Sequence, residues 1–447
     1  MEALASRENG LPAFCAVDAG SPSQKQKGTP MTVTKRMALS AAAVALAAIT
    51  ATTLAGCSGS ASANKSANDA ASGSKTLTVW VDASRVSALK DIAAEFTKKS
   101  GVKVNLVQKD FGKLEQDLET QIPTGKGPDI AVGANDWTGQ LATDGVIQPV
   151  ELGDSASKYE KVALDAFNFK GQVYALPYSI ENIALVRNTK LAPTAPKTWD
   201  DMIAAGKAAG TKYPYIVQVG PQSDPYHLYP LQSSFGAPVF AQNADGSYDA
   251  SKLTIGGADG VTFAKWLRQQ GSTGALSLSM TGDIAIEKFD QGQSPFMITG
   301  PWNIPAMQKA GIKVAVDPIP SAGGKQSSPF VGVQGFFLSA KTANKLAAND
   351  FLTNYIGTDA VQEALYKAGG RPPALTTAFD KVASDPIMQG FEKVSAQGAP
   401  MPNVPAMAAV WQYWGVAEAA IIGQKADPAA TWTKMTSDIQ SAIDKQK

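Results

Sequence analysis

Apolar and polar positions follow two different periods in the chain beyond residue 74. Residues 75–81 form an apolar, β-branched run typical of a buried strand, and residues 86–96 place apolar side chains three and four positions apart, as a helix does. A second strand is predicted at 102–106, a second helix at 114–122 and a third strand at 130–132. This order predicts an α/β fold with a doubly wound, parallel sheet.

The same two patterns continue towards the C-terminus. Extended runs at 173–181 and 183–188 meet at an irregular join, which is a natural crossing point between two domains. Short strands are predicted at 295–298 and 331–338. Helical spacing predicts the remaining elements at 198–210, 258–270, 344–368 (two helices), 405–423 and 428–444.

Two loops follow strands of the predicted sheet and carry charged or aromatic side chains. Residues 82–85 come after the first strand, and residues 133–137 come after the third. Ligands bind at the carboxyl ends of the strands in doubly wound sheets. We therefore expect a ligand site at these loops.

An uncharged, Ala-rich run precedes the folded part. It spans residues 37–55, follows Lys35 and Arg36, and is succeeded by Gly56 and Cys57. A basic start, an apolar run and small residues describe a secretory signal peptide, and Leu-Ala-Gly-Cys resembles the bacterial lipobox, which implies that Cys57 is lipidated. A membrane-spanning helix is the alternative, but a span built mostly from Ala is only weakly apolar. We expect an extracytoplasmic protein held at the cell membrane by lipid alone.

The leader divides the N-terminal region into three predicted parts. Residues 1–30 would make the leader unusually long, so we interpret them as a mis-assigned extension and Met31 as the true start. Residues 31–56 are the predicted lipoprotein signal peptide. Residues 57–74 comprise the lipidated cysteine and a Ser-, Ala-, Gly- and Asn-rich stretch, which is predicted to be a flexible linker.

Composition argues against several kinds of chemistry. The net charge of +1 gives no reason to expect a nucleic acid as partner. The two cysteines are Cys15 and Cys57, and the one histidine is His227. After processing, the chain therefore lacks the residues for an internal disulfide, a two-histidine zinc site or a thiolate metal site. We also find no glycine-rich phosphate loop, and we expect neither a cofactor nor a metal.

A series of short motifs, in order, resembles the extracellular solute-binding proteins of ABC sugar importers, closest to the maltose and maltodextrin type. The motifs are Leu77-Thr-Val-Trp80, Gly127-Pro-Asp-Ile130, Ala175-Leu-Pro177 with Glu181 and Asn188, Pro196-Lys-Thr-Trp199, Thr299-Gly-Pro-Trp302, Phe330-Val-Gly-Val333 and Met401-Pro-Asn-Val-Pro405. The resemblance implies the two-lobed periplasmic-binding-protein fold of type II, with the sugar in the cleft between the lobes. It implies one lobe of residues 75–180 plus 335–382 and another of 184–330 plus 384–447.

The resemblance also implies a set of sugar-binding residues. Aromatic rings cover the C–H patches of a sugar, and charged side chains bind its hydroxyl groups. The implied residues are Trp302, Trp411, Asp136, Trp137, Glu181, Asp224, Tyr226, Arg85, Asp82, Glu115 and Met401.

Several of these positions keep a second interpretation. Met401 either lines the cleft or fills a gap, His227 is either a ligand residue or a surface histidine, and Lys113 with Glu115 is either a pair at the cleft mouth or a solvated helix face. Trp414 shares a helix face with Trp411 and is interpreted as core. Where the maltodextrin type has a Trp after the third strand, this chain has Gly133, with Trp137 four positions later. The sequence therefore does not determine which sugar is preferred.

Three functions compete at this stage. The first is a monomeric binding protein without enzymatic activity, which closes around an oligosaccharide and delivers it to a permease powered by a cytoplasmic ATPase. The ligand is then a maltodextrin or a raffinose- or xylo-oligosaccharide. The second is a secreted glycoside hydrolase, because Asp136, Glu181 and Asp224 could supply a carboxylate pair. The third, a structural surface protein, has no repeat or other feature in its favour.

Overall fold

The structure is a computed structural model that describes residues 76–243 and 247–446. These residues belong to one compact unit. The predictions for the leader, Cys57 and the linker lie outside the described residues. Within the described ranges, no helix combines the length and the apolar character that crossing a membrane requires.

The described chain contains both strands and helices throughout. The strands are β1 (Thr76–Val81), β2 (Lys103–Gln108), β3 (Ile130–Ala134), β4 (Ile147–Gln148), β5 (Asn168–Phe169), β6 (Gln172–Val173), β7 (Ala175–Asn182), β8 (Ala184–Asn188), β9 (Ile216–Val217), β10 (Phe240–Gln242), β11 (Tyr248–Leu253), β12 (Phe296–Thr299), β13 (Val314–Asp317), β14 (Phe330–Ser339) and β15 (Ala399–Pro400). The helices are α1 (Ala83–Ser100), α2 (Phe111–Gln121), α3 (Thr138–Thr143), α4 (Lys161–Ala166), α5 (Trp199–Ala208), α6 (Pro225–Phe235), α7 (Gly257–Ser272), α8 (Gly282–Asp290), α9 (Ile304–Lys309), α10 (Lys345–Phe351), α11 (Asp359–Gly369), α12 (Thr376–Val382), α13 (Pro386–Ser395), α14 (Ala406–Ile422) and α15 (Pro428–Lys445).

The first sheet contains the strands that the N-terminal pattern predicts. Its order is β15-β14-β3-β1-β2, and β4 and β7 also pair with β14. β1 runs parallel to β2 and β3, as expected, whereas β14 is antiparallel to β3 and β7. Every residue of β14 is buried, because the strand has neighbours on both edges and side chains packed on both faces. The predicted α/β fold is confirmed, with a mixed rather than a wholly parallel sheet.

The second sheet is smaller and has the order β13-β8-β12-β9. β8 and β12 are fully buried, and Ala184, Val186 and Met297 pack there against Phe289 and Phe391 in a separate apolar cluster. Full burial of a Val, Met or Phe side chain in this cluster stabilises the folded state by about 1.5–3 kcal/mol per residue.

The chain passes from the first sheet to the second at one residue. β7 ends at Asn182 and β8 begins at Ala184, which is the irregular join of the two predicted extended runs. The fold is therefore two-lobed, and we propose the lobe ranges given above. β15 pairs with β14 in the first sheet, although its residues fall in the range proposed for the second lobe.

Local sequence explains where the helices that approach the cleft begin. Asp82 accepts a hydrogen bond from the backbone of Arg85 and caps α1, and Asp224 accepts one from the backbone of His227 and caps α6, which starts with Pro225. Gly236 ends α6 in the left-handed conformation. The caps place two carboxylates at the carboxyl ends of β1 and β9.

Candidate functional site

A cavity of about 630 Å³ lies where the two sheets face each other. Its lining includes residues one to three positions after the ends of β1, β3, β9 and β12, so the carboxyl ends of strands from both sheets meet there. This volume is within the usual range for small-molecule sites. The lining residues are Asp82, Phe111, Gly112, Glu115, Ala134, Asp136, Trp137, Glu181, Gln218, Ser223, Asp224, Pro225, Tyr226, His227, Trp302, Gln334, Arg371, Met401 and Trp411.

All but one of the residues expected at the site line this cavity. Arg85 does not: its side chain is 2% exposed and lies behind the lining. Its guanidinium donates hydrogen bonds to Tyr178, to Asp82 and, over 3.2 Å, to Gln334. Arg85 occupies the first turn of α1, where the helix directs it inward, and there it holds Asp82 from behind.

Trp411 and Asp136 connect the two lobes across the cavity. Asp136 follows β3 in a short 3₁₀ turn, and its Oδ2 accepts a hydrogen bond of 2.8 Å from the indole Nε1 of Trp411 on α14. The Trp411 ring is stacked on Trp414, with 5.3 Å between centroids and 18° between planes. Trp414 is fully buried and donates to Gln232, so the core interpretation of Trp414 holds.

Asp136 keeps one oxygen free. Its side chain is 8% exposed, and Oδ1 has no hydrogen-bond partner among the described residues. Burial raises the pKa of the Asp136 carboxyl to about 7, and the charge of Glu181 acts in the same direction, against the hydrogen bond from Trp411. Burial, and then the charges of Asp136 and Glu119, also raises the pKa of Glu115 well above its usual value. The carboxyl groups of Asp136 and Glu115 therefore give this edge of the cavity oxygens that can accept hydrogen bonds from neutral donors such as hydroxyl groups.

Trp302 lies on the opposite side, in the turn after β12. Its ring covers Gly300, where a Cβ would come within 2.0 Å of the indole Cζ3. The ring is 6.3 Å from Tyr226 and 5.7 Å from His227, measured between centroids. The guanidinium carbon of Arg371 lies 5.3 Å from the centre of a Trp302 ring. Gly300 therefore leaves the space that the indole needs.

Asp224, Tyr226 and His227 form a cluster at the start of α6. His227 is only 4% exposed, so the surface interpretation of this histidine is wrong, and its Nδ1 lies 3.0 Å from Oδ2 of Asp224. Burial alone would raise the pKa of Asp224, but the charge of His227 and hydrogen bonds from His227 and Gln218 outweigh burial and lower it. The hydroxyl of Tyr226 has no partner among the described residues. This hydroxyl is buried in the lining and keeps unused hydrogen-bonding capacity.

The absence of a side chain at Gly133 leaves room for the ring of Trp137, four positions further along the chain. A Cβ on Gly133 would come within 2.6 Å of the Trp137 ring and 2.5 Å of Phe337. The Trp137 indole is nearly buried and packs against Phe111, with 5.1 Å between centroids, and against Phe337, at 6.5 Å. Trp137 therefore fills the space above Gly133 and reaches the cavity from within an aromatic cluster.

Sequence reasoning missed four polar residues of the lining, and two of them hold Glu181. Arg371 donates from Nε to Oε2 of Glu181 at 2.6 Å, and Gln334 donates to the other oxygen of Glu181 at 2.9 Å. The sequence contains one feature that could have pointed to each of Gln334 and Arg371. Gln334 is the polar residue in the middle of a fully buried strand that is otherwise apolar up to its last residue, Ser339, and Arg371 stands between Gly370 and Pro372 in a restricted loop. The other lining residues that were not predicted are Phe111, Gly112, Gln218, Ser223 and Pro225, whereas Ala134 belongs to the 133–137 loop that was expected at the site.

Two α/β lobes with a ring- and carboxylate-lined cavity between them define a solute-binding protein. Within residues 76–243 and 247–446, no group of three or more His, Cys, Asp or Glu side chains is arranged to hold a metal ion. The bacterial extracellular solute-binding protein family matches residues 91–390. This chain belongs to that family.

Relatives of the chain agree with this assignment. A maltooligosaccharide ABC transporter solute-binding lipoprotein of Streptococcus pneumoniae is 29% identical over 83% of this chain and 89% of its own length. A galactooligosaccharide-binding protein of Bacillus subtilis is 27% identical over 82% of this chain and 88% of its own. Among solved structures, the maltotriose binding protein of Thermus thermophilus, bound with maltotriose, has a TM-score of 0.75 and 30% identity, covering 82% of this chain and all of that one.

Proposed function

We propose that this chain captures a maltodextrin-type oligosaccharide outside the cell and delivers it to an ABC importer without cleaving it. The observation that carries the proposal is the pairing of Trp302 with Trp411 in one cavity whose lining also includes Asp136 and Tyr226, each with a buried oxygen that has no partner among the described residues. Indole faces suit the C–H patches of a glucosyl ring, and the oxygens suit its hydroxyl groups. The names of the relatives support the same class of ligand.

Capture follows from the two-lobed architecture. Asp136 and Trp302 belong to elements of different sheets, so a sugar that contacts both favours the closed arrangement. The closed form is then the one that docks on the permease, which a cytoplasmic ATPase powers. We propose that the chain acts as a monomer; each copy supplies both sides of the cavity.

Calorimetric titration tests the ligand class. We expect the strongest binding with maltotriose or maltotetraose and weaker binding with raffinose and xylotriose. A galactooligosaccharide is the second candidate, because the Bacillus subtilis relative is named for it; tighter binding of that sugar would replace the maltodextrin assignment. The absence of heat with every sugar would contradict the proposal.

Incubation with maltotetraose tests whether the chain cleaves its ligand. We expect no new reducing ends after long incubation, because both oxygens of Glu181 are held by Arg371 and Gln334, and both oxygens of Asp224 are held by His227 and Gln218. Neither carboxylate is therefore available to act with Asp136 as a catalytic pair. Release of glucose or maltose above a buffer control would make the protein a glycoside hydrolase instead.

Gly300→Ala should weaken sugar binding while the fold stays intact. The added Cβ would overlap the Trp302 indole, and the backbone of Gly300, at φ −98°, accepts an alanine without strain. The ring must therefore turn away from its present position. Titration with maltotriose measures the loss, and an unchanged melting temperature separates it from unfolding. Unchanged affinity would show that the ring position is not set by Gly300.

Cys57→Ser should release the protein into the medium. The proposed anchor is the lipid on Cys57, and no described helix could replace it as a span. Fractionation of cells that express the full chain, with an antibody against the folded part, measures the change. As control, Cys15→Ser should leave the protein with the membrane, because this residue precedes the predicted signal peptide. Membrane retention of the Cys57→Ser protein at the size of the processed chain would contradict the anchor, because only the longer, uncleaved form keeps the apolar run of residues 37–55.

A further inference from the structure

The loop after α11 is packed directly on the turn that carries Trp302. Gly370 has φ of +67° and ends α11, and a Cβ there would come within 2.4 Å of the backbone oxygen of Pro301 and 3.1 Å of Pro305. Only a residue without a side chain allows the two segments to approach so closely. The approach brings Arg371, the next residue, against the Trp302 ring.

Arg371 is fixed from the side of the first sheet. The backbone nitrogen of Ile180, in β7, donates to the oxygen of Pro372 at 2.9 Å, and that of Ala374 donates to Tyr178 at 3.0 Å. The guanidinium itself is paired with Glu181 over 2.6 Å, and only 11% of the Arg371 side chain is exposed. A paired, buried guanidinium has little freedom to turn. A side chain that packs against this guanidinium is therefore held in a defined position.

Trp302 rests on this guanidinium from the side of the second sheet. The guanidinium carbon lies 5.3 Å from the ring centre, which is within the range of a cation–π contact. Trp302 follows β12, whereas Glu181 lies in β7, so the contact joins the two lobes at one end of the cavity. The ion pair with Glu181 also argues against a role for Arg371 as a binding site for an anionic ligand.

We infer that Arg371 is a positioning residue, which holds the Trp302 indole in place from the opposite lobe so that the ring is ready to receive a sugar. The effect on sugar affinity rests on the proposed function, whereas the effect on the ring itself does not. Glu181 and Gln334 orient Arg371, and Arg371 in turn orients Trp302. This chain of contacts gives Glu181 a structural task in addition to any contact with the ligand.

The test compares Arg371→Met and Trp302→Phe in the sugar-free protein. The near-ultraviolet circular dichroism of wild type minus Trp302→Phe isolates the signal of the held indole. We expect the Arg371→Met spectrum to lose the same band, and Arg371→Lys, which keeps the charge but not the planar group, to retain part of it. Arg187→Met is the matched control, because Arg187 forms a buried ion pair of 2.8 Å with Asp317 away from the cavity. An Arg371→Met or Arg371→Lys spectrum identical to wild type would overturn the inference.

A double-mutant cycle measures whether Arg371 affects maltotriose affinity through the Trp302 ring. Arg371→Met should weaken binding roughly two- to thirtyfold, the range of one cation–π contact, and this loss should disappear when Trp302 is already alanine, because Arg371 acts through the ring. A loss of the same size in both backgrounds would make Arg371 a direct ligand contact and overturn the positioning role. If wild type binds no sugar at all, the proposed function fails, and the spectra alone decide the inference.

Discussion

Trp302→Ala should weaken maltotriose binding by about 1.5–3 kcal/mol, or roughly ten- to a hundredfold. The substitution removes the indole that faces the cavity from the second lobe and leaves its neighbours Tyr226 and Arg371 without their packing partner. Trp411→Ala should cost at least as much, because it also removes the hydrogen-bond donor of Asp136 and leaves both carboxyl oxygens without a partner from the chain. Isothermal titration calorimetry measures both losses.

Trp266→Ala is the matched control for these two substitutions. Trp266 is half-buried like Trp302, but it packs against Trp199 and Phe263 on α7 and does not line the cavity. We expect this variant to lose thermal stability and to keep its affinity. Equal affinity losses in all three variants would indicate a general loss of structure, and full affinity in Trp302→Ala would remove Trp302 from the site.

Sugar affinity should rise as the pH rises from about 5 to 7 and level off above 7. Burial raises the pKa of Asp136 to about 7 in the free protein, so the carboxyl is mostly protonated below that pH. A sugar hydroxyl that donates to Oδ1 stabilises the ionised form and lowers the pKa in the complex. Binding therefore releases a proton below pH 7, and affinity changes by up to about tenfold per pH unit there.

Asp136→Asn should flatten this pH profile. The amide keeps an oxygen that can accept a hydrogen bond but has no proton to release, so its affinity should be nearly constant over the same range. Glu115 also has a raised pKa and is electrostatically linked to Asp136, so Glu115→Gln separates its contribution. A flat wild-type profile, or an Asp136→Asn profile as steep as that of wild type, would contradict the assigned role of Asp136.

The sequence predicted the local elements well because their signals are local. Residues 75–132 carry clear strand and helix periods in their apolar positions, and the structure places β1, β2 and β3 within a few residues of the predicted positions. The two-residue strands β4, β9 and β15 have no pattern of their own, because their partners are provided by β14 and β12, distant in the chain. The antiparallel entry of β14 between β3 and β7 is likewise a property of tertiary pairing.

The same distinction applies to the site. Asp136 could be predicted from its place after a strand, where open sheets bind ligands, and Trp302 from the family motif around it. Arg371 could not, because its partner Glu181 is 190 positions away and no local period links the two residues. Arg85 shows the reverse error: the position after β1 was correct, but the first turn of α1 directs the side chain inward to Tyr178 and Gln334. Trp137 depended on the space above Gly133, which only the packed structure shows.

The structure of the processed chain crystallised with maltotriose tests the central claim most directly. We predict a glucosyl ring against the indole of Trp302 and another against that of Trp411, with a sugar hydroxyl about 3 Å from Oδ1 of Asp136. A cavity that stays empty at saturating maltotriose, or a sugar bound away from both indoles, would contradict the account.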